Sequence, residues 1–168
     1  RWDAAKAKTL PMRSKEEAHD YRYFPEPDLT PIIIEQSFVD KTRENLPEMP
    51  AEKKQRFIRD YKIPQKDASI IISNKTLAHF YEDTVAFGVD PKVVDNYILG
   101  DMLRLLNVKG LEPEDITMDP KNLAHLIQVI DEGKIRKTAG KEVFAEMFDT
   151  NKSPDVIIEE KGLAQISS

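Results

Sequence analysis

The chain has 168 residues, with 25 Lys plus Arg against 30 Asp plus Glu and a formal net charge of −5. Hydrophobic residues make up 40 % and charged residues 33 %, enough for one sizeable core or two small ones, and the acidity argues against a general polyanion binder while leaving room for a local basic face. The absence of cysteine excludes disulfides, thiolate metal sites and a cysteine nucleophile, and fits a cytoplasmic protein.

No stretch approaches the roughly 20 apolar residues of a membrane span, and the opening RWDAAKAKTL lacks the apolar core of a secretory signal. It begins on Arg rather than Met, so the chain reads as a piece of a larger protein. The proline-broken run DYRYFPEPDLTP follows, then Ile32-Ile33-Ile34. Tyr21–Phe24 and Pro31–Glu35 read as short strands, held extended by Pro25, Pro27 and Pro31. Ser37 offers an N-cap for a short helix toward Asn45, and LPEMPAE, with Pro47 and Pro50, reads as a hinge between two units.

From Pro50 onward the signals are helical. AEKKQRFIRDYKI carries Phe57, Ile58 and Tyr61 at helical spacing, broken by Pro64, and Asp67–Ile72 is a short helix or turn. Asn74 caps a helix that ends at Gly88. Asp90-Pro91 and Asp119-Pro120 each open another, since Asp caps and Pro fits the first helical position. Gly110 and Gly133 are the matching stops. Thr138 caps a helix with Val143, Phe144, Met147 and Phe148, and Ser153-Pro154 opens a last one stopped by Gly162. About six amphipathic helices with short connections must pack on one another. Gly100 lies inside the longest, where a close helix–helix approach would explain it.

Chemistry-bearing patterns are few. AGKEVF lacks the earlier glycine of a phosphate-binding loop, no GxSxG elbow is present, and His19, His79 and His125 stand in no ligand spacing, so no metal site is predicted. The run from Met12 to Leu29 mixes Arg13, Lys15 and Arg22 with Glu16, Asp20, Glu26 and Asp28. Such a cluster can meet phosphates and hold Mg²⁺ through oxygen ligands, or simply be an ion-paired strand edge. Between Ala51 and Lys66 stand Lys53, Lys54, Arg56, Arg59, Lys62 and Lys66 against Glu52 and Asp60. That basic stretch suits an RNA backbone, and equally a solvated helix face. The smaller cluster Lys134-Ile-Arg136-Lys137 follows a helix stop, where it would complement a helix C-terminus.

The run MRSKEEAHDYRYFPEPDL closely resembles the GatB family, which supplies one subunit of the tRNA-dependent amidotransferases. RENLPEMPAEKKQRFIRDYKIP, VVDNYILGDMLRLLN, GKEVFAEMF and IIEEKGLAQIS agree in order, so the resemblance covers essentially the whole chain. It implies a fold that is mainly α, a multi-helix bundle preceded by a short β-containing segment of a larger α+β cradle. Residues 1–45 would close the cradle, 46–152 form the helical domain and 153–168 begin a tail related to the YqeY proteins.

The resemblance further implies a heterotrimeric ligase with an amidase (A) subunit and a small (C) subunit as partners. ATP phosphorylates the side-chain carboxylate of Glu on tRNA(Gln) or Asp on tRNA(Asn), and glutamine-derived ammonia displaces the phosphate. ATP and Mg²⁺ belong to the intact enzyme. Neither is expected on this fragment, which alone should be inactive. Within the cradle motif Arg13, Ser14, Glu16, Asp20, Tyr21, Tyr23, Glu26, Pro27 and Asp28 carry over without individual roles, while Lys15 and Arg22 are expected to face a phosphate or the tRNA end. From charge alone, Lys53, Lys54, Arg56, Arg59 and Lys62 are expected to contact tRNA. The alternative is a helical scaffold that braces the other subunits.

Overall fold

Caps and prolines cut the chain into short helices, and the computed structural model describes them over residues 35–44 and 46–165, with the backbone of residues 2–3 and 8–9 besides. Two compact units divide at Leu46, Arg1–Leu46 and Pro47–Ser168. In the first, β1 (Trp2–Asp3) pairs antiparallel with β2 (Lys8–Thr9), Trp2 opposite Thr9 and Asp3 opposite Lys8. Helix α1 runs Gln36–Glu44. The strands expected at Tyr21–Phe24 and Pro31–Glu35 lie outside the described residues, apart from Glu35, which is irregular chain ahead of α1. Ser37 is not the cap. The Glu35 carbonyl already accepts from Phe38 N at 2.9 Å, which places Ser37 inside the first turn, where its Oγ donates to Glu35 Oε2 at 3.3 Å.

The second unit is all helical among the described residues. Helix α2 (Pro50–Tyr61) starts on proline, and Met49 N donates to Glu52 Oε2 at 3.3 Å, the return bond of a capping box. It ends at Lys62, left-handed at φ 56. Helix α3 (Gln65–Ile72) follows Pro64. Helix α4 (Lys75–Val85) is capped by Asn74, whose Oδ1 accepts from Leu77 N at 3.0 Å. Asp90 caps α5 (Pro91–Asn96) through Lys92 N at 2.9 Å.

The chain then widens into a π-helical turn, Tyr97–Met102, before resuming as α6 (Leu103–Lys109) and stopping at Gly110 with φ 65. After a 3₁₀ turn, Pro113–Asp115, Asp119 caps α7 (Pro120–Asp131) through Lys121 N at 2.8 Å. Helices α8 (Lys137–Thr150) and α9 (Pro154–Lys161) complete the unit. Thr138 does not cap α8: the N-cap is Arg136, which gives no side-chain bond, and Thr138 falls in the first turn.

Packing follows the apolar stripes. Helix α2 lies on α3, α4 on α7, α7 on α8 and α8 on α9. Tyr81, Phe57, Leu123, Leu126, Phe144 and Met147 are fully buried between them. Burial of each such side chain stabilises by roughly 1.5–3 kcal/mol. Phe57, Tyr61 and Tyr81 form an aromatic triangle with centroids 5.1–5.3 Å apart that joins α2 to α4. The buried Tyr81 hydroxyl donates to the Pro91 carbonyl at 3.1 Å, so the triangle also fixes the start of α5.

The two helical glycines contrast. A Cβ added at Gly140 would run into Ile130 Cδ1 and sit 3.2 Å from Tyr97 Oη, so the close approach of α8 is made there. A Cβ at Gly100 would meet nothing within 4 Å, so the close-packing expectation for Gly100 does not hold. Among the described residues no helix is long and apolar enough to cross a membrane.

Candidate nucleic-acid interface

The basic stretch of α2 resolves into two classes of side chain. Lys53 Nζ pairs with Glu82 Oε2 of α4 at 2.8 Å. Arg56 makes a bidentate bond to Glu48, Nε to Oε1 and Nη2 to Oε2, both at 2.7 Å. Its Nη2 also donates to Glu82 Oε1, and its guanidinium lies 5.3 Å from the Phe57 ring centre. These two cations therefore hold the pre-helix segment and α4 against α2.

The electrostatics agree. The hydrogen bond from Arg56 holds the Glu48 carboxyl below its ordinary range. Burial works to raise Glu82, but hydrogen bonds from Lys53 and Arg56 outweigh it and keep the carboxyl low. The hydrogen bond to Glu48 in turn raises the Arg56 guanidinium.

The other predicted contacts are freer. Arg59 is exposed and tied to its neighbour Asp60 at 2.6 Å. Lys54 is half-buried, Lys62 and Lys66 are exposed, and none of these three has an ion-pair partner among the described residues. Lys15 and Arg22 lie outside the described residues, as does His19. His79 is exposed, and His125 Nε2 meets Asp155 Oδ2 at 2.7 Å, linking α7 to α9. Among the described residues no three His, Cys, Asp or Glu side chains converge on a metal-sized point, and none is assigned a role toward Mg²⁺ or ATP.

A second set of cations is positioned by the later helices. From Lys134 to Lys141 the chain carries Lys134, Arg136, Lys137 and Lys141 and no acid. Lys134 pairs with Glu132 at 2.7 Å in the turn after α7, so one member of the cluster does sit at a helix C-terminus. The rest do not. Arg136 is the N-cap of α8, Lys137 opens the helix, and its first turn holds no acid. Cations at a helix N-terminus face the positive end of its dipole.

Lys137 and Lys141 border a groove of about 580 Å³ between the π-helical turn, the end of α7 and the start of α8. Val93, Ile127 and Ile130 line it with Gly100, while Arg104, Lys137 and Lys141 supply its cations and Asp101 and Asp131 its acids. Arg104 is 61 % exposed and only 3.8 Å from Asp101; Lys137 and Lys141 have no ion-pair partner among the described residues. Tyr97 is buried beneath, and burial, with Asp101 and Asp131 adding to it, pushes its hydroxyl up to about 12. Sequence reading missed Arg104 and Lys141. The one available signal was Gly100, a helix-weakening residue with no packing reason.

Comparison with known proteins covers both units. The family model described as GatB domain matches residues 79–168, and one described as GatB/GatE catalytic domain matches residues 1–40. A protein of Clostridium beijerinckii, named as the B subunit of an aspartyl/glutamyl-tRNA(Asn/Gln) amidotransferase, is 54 % identical over 168 residues. Like-named proteins of Caldicellulosiruptor bescii and a Thermoanaerobacter species are 46 % and 49 % identical over 170 and 168 residues. Each alignment takes in 99–100 % of this chain but 35 % of the relative, so the chain spans about a third of their length.

Proposed function

The chain belongs to the GatB family, and on that premise we propose that it is the tRNA-docking part of the B subunit of a tRNA-dependent amidotransferase. In the intact enzyme, ATP would phosphorylate the carboxylate of Glu on tRNA(Gln) or Asp on tRNA(Asn), and ammonia from an amidase subunit would displace the phosphate. A carboxylate is a poor acyl donor, and phosphorylation supplies its leaving group. On this reading residues 1–45 close the cradle where that chemistry runs, 46–152 form the helical domain and 153–168 begin the tail. The helical part holds the nucleic acid while the acceptor end reaches the cradle.

The observation that carries the docking role is the set of cations left without ion-pair partners among the described residues, in a chain of net charge −5. Arg136, Lys137 and Lys141 stand exposed at the start of α8 without an acid in its first turn, and the half-buried Lys54 of α2 and the exposed Lys62 just after it have no ion-pair partner among the described residues. Lys53 and Arg56 enter the docking face only through the helix they hold in place. The bracing alternative draws on the exposed apolar side chains of this unit, Met49, Phe87, Val108, Leu111 and Val156.

Fluorescence anisotropy of the 168-residue chain with labelled tRNA(Gln) transcript tests the reading. Affinity should fall steeply with salt, and Lys137→Glu with Lys141→Glu should weaken it at least tenfold at low salt. Unchanged affinity in that variant overturns the docking face. Amide product from Glu-tRNA(Gln), ATP and glutamine with this chain alone would overturn its restriction to docking.

A further inference from the structure

We propose that the groove beside Gly100 receives a single unstacked nucleotide of the bound RNA, its base on the partly buried Val93 and Ile130 and its phosphate against Lys137 and Lys141. The choice of RNA rests on the docking reading above; the shape and chemistry of the site come from the groove itself.

The dimensions come first. A volume of about 580 Å³ falls among pockets that enclose small organic ligands, roughly 300–1,000 Å³, and exceeds what a lone ion needs. The lining is mixed. Its aliphatic side chains come from α5 and α7, and its cations come from α6 and α8. A nucleotide has the same pairing of an apolar face with a charged group, whereas a duplex backbone offers no apolar part to meet the aliphatic side chains.

Charge placement agrees. Lys137 sits at the positive end of the α8 dipole with Lys141 one turn further on, no acid lies in the first turn, and neither lysine has an ion-pair partner among the described residues. That arrangement is unfavourable in the free chain and becomes favourable when an anion arrives. Arg104, also lining the groove, is mostly exposed, with a planar guanidinium that can stack on a base. The carboxylate of Asp131 and the amide of Asn96 on the rim can bond a base edge. Two acids among the lining residues disfavour a bare polyphosphate, which carries no donor to satisfy them.

Gly100 then has a use. It lines the groove from a π-helical turn, a wide turn frequently found at functional sites, and its missing side chain leaves open space there. Single-stranded loops are where proteins read RNA sequence, because only splayed bases can enter such a slot.

Filling the space beside Gly100 tests the proposal without removing a charge. In anisotropy titrations of the 168-residue chain with labelled tRNA(Gln) transcript, Gly100→Leu should weaken binding about tenfold, within the range for loss of one base contact. The slope of affinity against salt should not change, since that slope counts neutralised phosphates. Dimethyl sulfate probing should show a loop base protected by the wild-type chain and exposed again with Gly100→Leu. Should the leucine variant fail to give a wild-type circular dichroism melt, Gly100→Ala serves, with an expected loss of about twofold to fivefold. Wild-type affinity in a folded Gly100 variant, or no loop base protected by the wild type, overturns the nucleotide site alone. No tRNA binding by the wild-type chain, or binding insensitive to reversal of Lys137 and Lys141, overturns the docking reading and the site with it.

Discussion

Arg56 Nη2 donates to Glu82 Oε1 at 2.5 Å, so the best-connected cation of α2 is held by α4 rather than presented to solvent. Its second partner, Glu48, precedes the helix, and its guanidinium lies against the Phe57 ring. Arg56→Ala should therefore cost about 1–2 kcal/mol in urea unfolding, because the half-buried Glu82 keeps only Lys53 as a partner. Arg56→Lys should recover part of this, since an ammonium cannot form the bidentate bond to Glu48. At a salt concentration where both variants are folded, tRNA affinity should change less for Arg56→Ala than for Lys62→Ala. The reverse order would return Arg56 to the RNA contact set.

Asp95 supplies a pH dependence. It is 5 % exposed, and its Oδ1 has no hydrogen-bond partner among the described residues. Burial, and then the carboxylate of Asp67 on α3, push its pKa up to about 6. An acid whose folded pKa exceeds the unfolded one stabilises the fold at low pH and loses that contribution as pH rises through the folded value. Stability should fall between about pH 4 and pH 7 by an amount on the order of 2 kcal/mol from this group. Asp95→Asn removes the titration and offers an amide donor toward Asp67. It should be more stable than wild type at pH 7.5, with the gap closing near pH 4.5. Parallel stability curves for the two proteins across that range would show that Asp95 does not titrate there.

What the sequence made legible was local. Asn74, Asp90 and Asp119 cap where they were read to cap, because an oxygen two or three residues from an open N–H needs no distant partner. Ser37 and Thr138 were misplaced for the same reason. Each helix begins earlier, after Glu35 and Arg136, without waiting for a capping side chain. The π-helical turn left no trace in the pattern, since Val94, Ile98, Met102 and Leu105 satisfy an ordinary helical stripe. The basic character of α2 was visible, but its neutralisation by Glu82 was not, because that acid comes 26 residues after Arg56. Only the tertiary contact decides which cations stay free.

Gly100 and Gly140 give a paired test of packing. Both are helical, so replacing either by Ala gains up to about 1 kcal/mol of helix propensity. At Gly100 the new methyl enters open space and the gain should survive. At Gly140 it must displace Ile130 and crowd the Tyr97 hydroxyl, an overpacking that costs about 1–3 kcal/mol. Gly100→Ala should therefore be more stable than Gly140→Ala by roughly 1–3 kcal/mol in thermal or urea unfolding. Equal stabilities would mean that Ile130 swings aside freely and that α8 is less tightly seated than its contacts indicate.

Asn74 makes two bonds with one side chain, and substitutions can separate them. Its Oδ1 caps α4 through Leu77 N at 3.0 Å, while its Nδ2 donates to Glu114 Oε1 at 2.7 Å and ties the 3₁₀ turn to the start of that helix. Asn74→Ala loses both and should cost about 1–2 kcal/mol, the usual range for removing a cap. Asn74→Asp keeps an equally good cap but turns a carboxylate toward Glu114, so two acids face each other where a donor met an acceptor. That variant should be less stable than wild type at pH 7 and regain stability as pH falls and one acid protonates. Adding Glu114→Gln should restore the donor–acceptor pair at neutral pH, because the glutamine amide can donate to the aspartate. If Asn74→Asp matches wild type at pH 7 and at pH 4, the Glu114 bond contributes nothing and the cap alone carries the position.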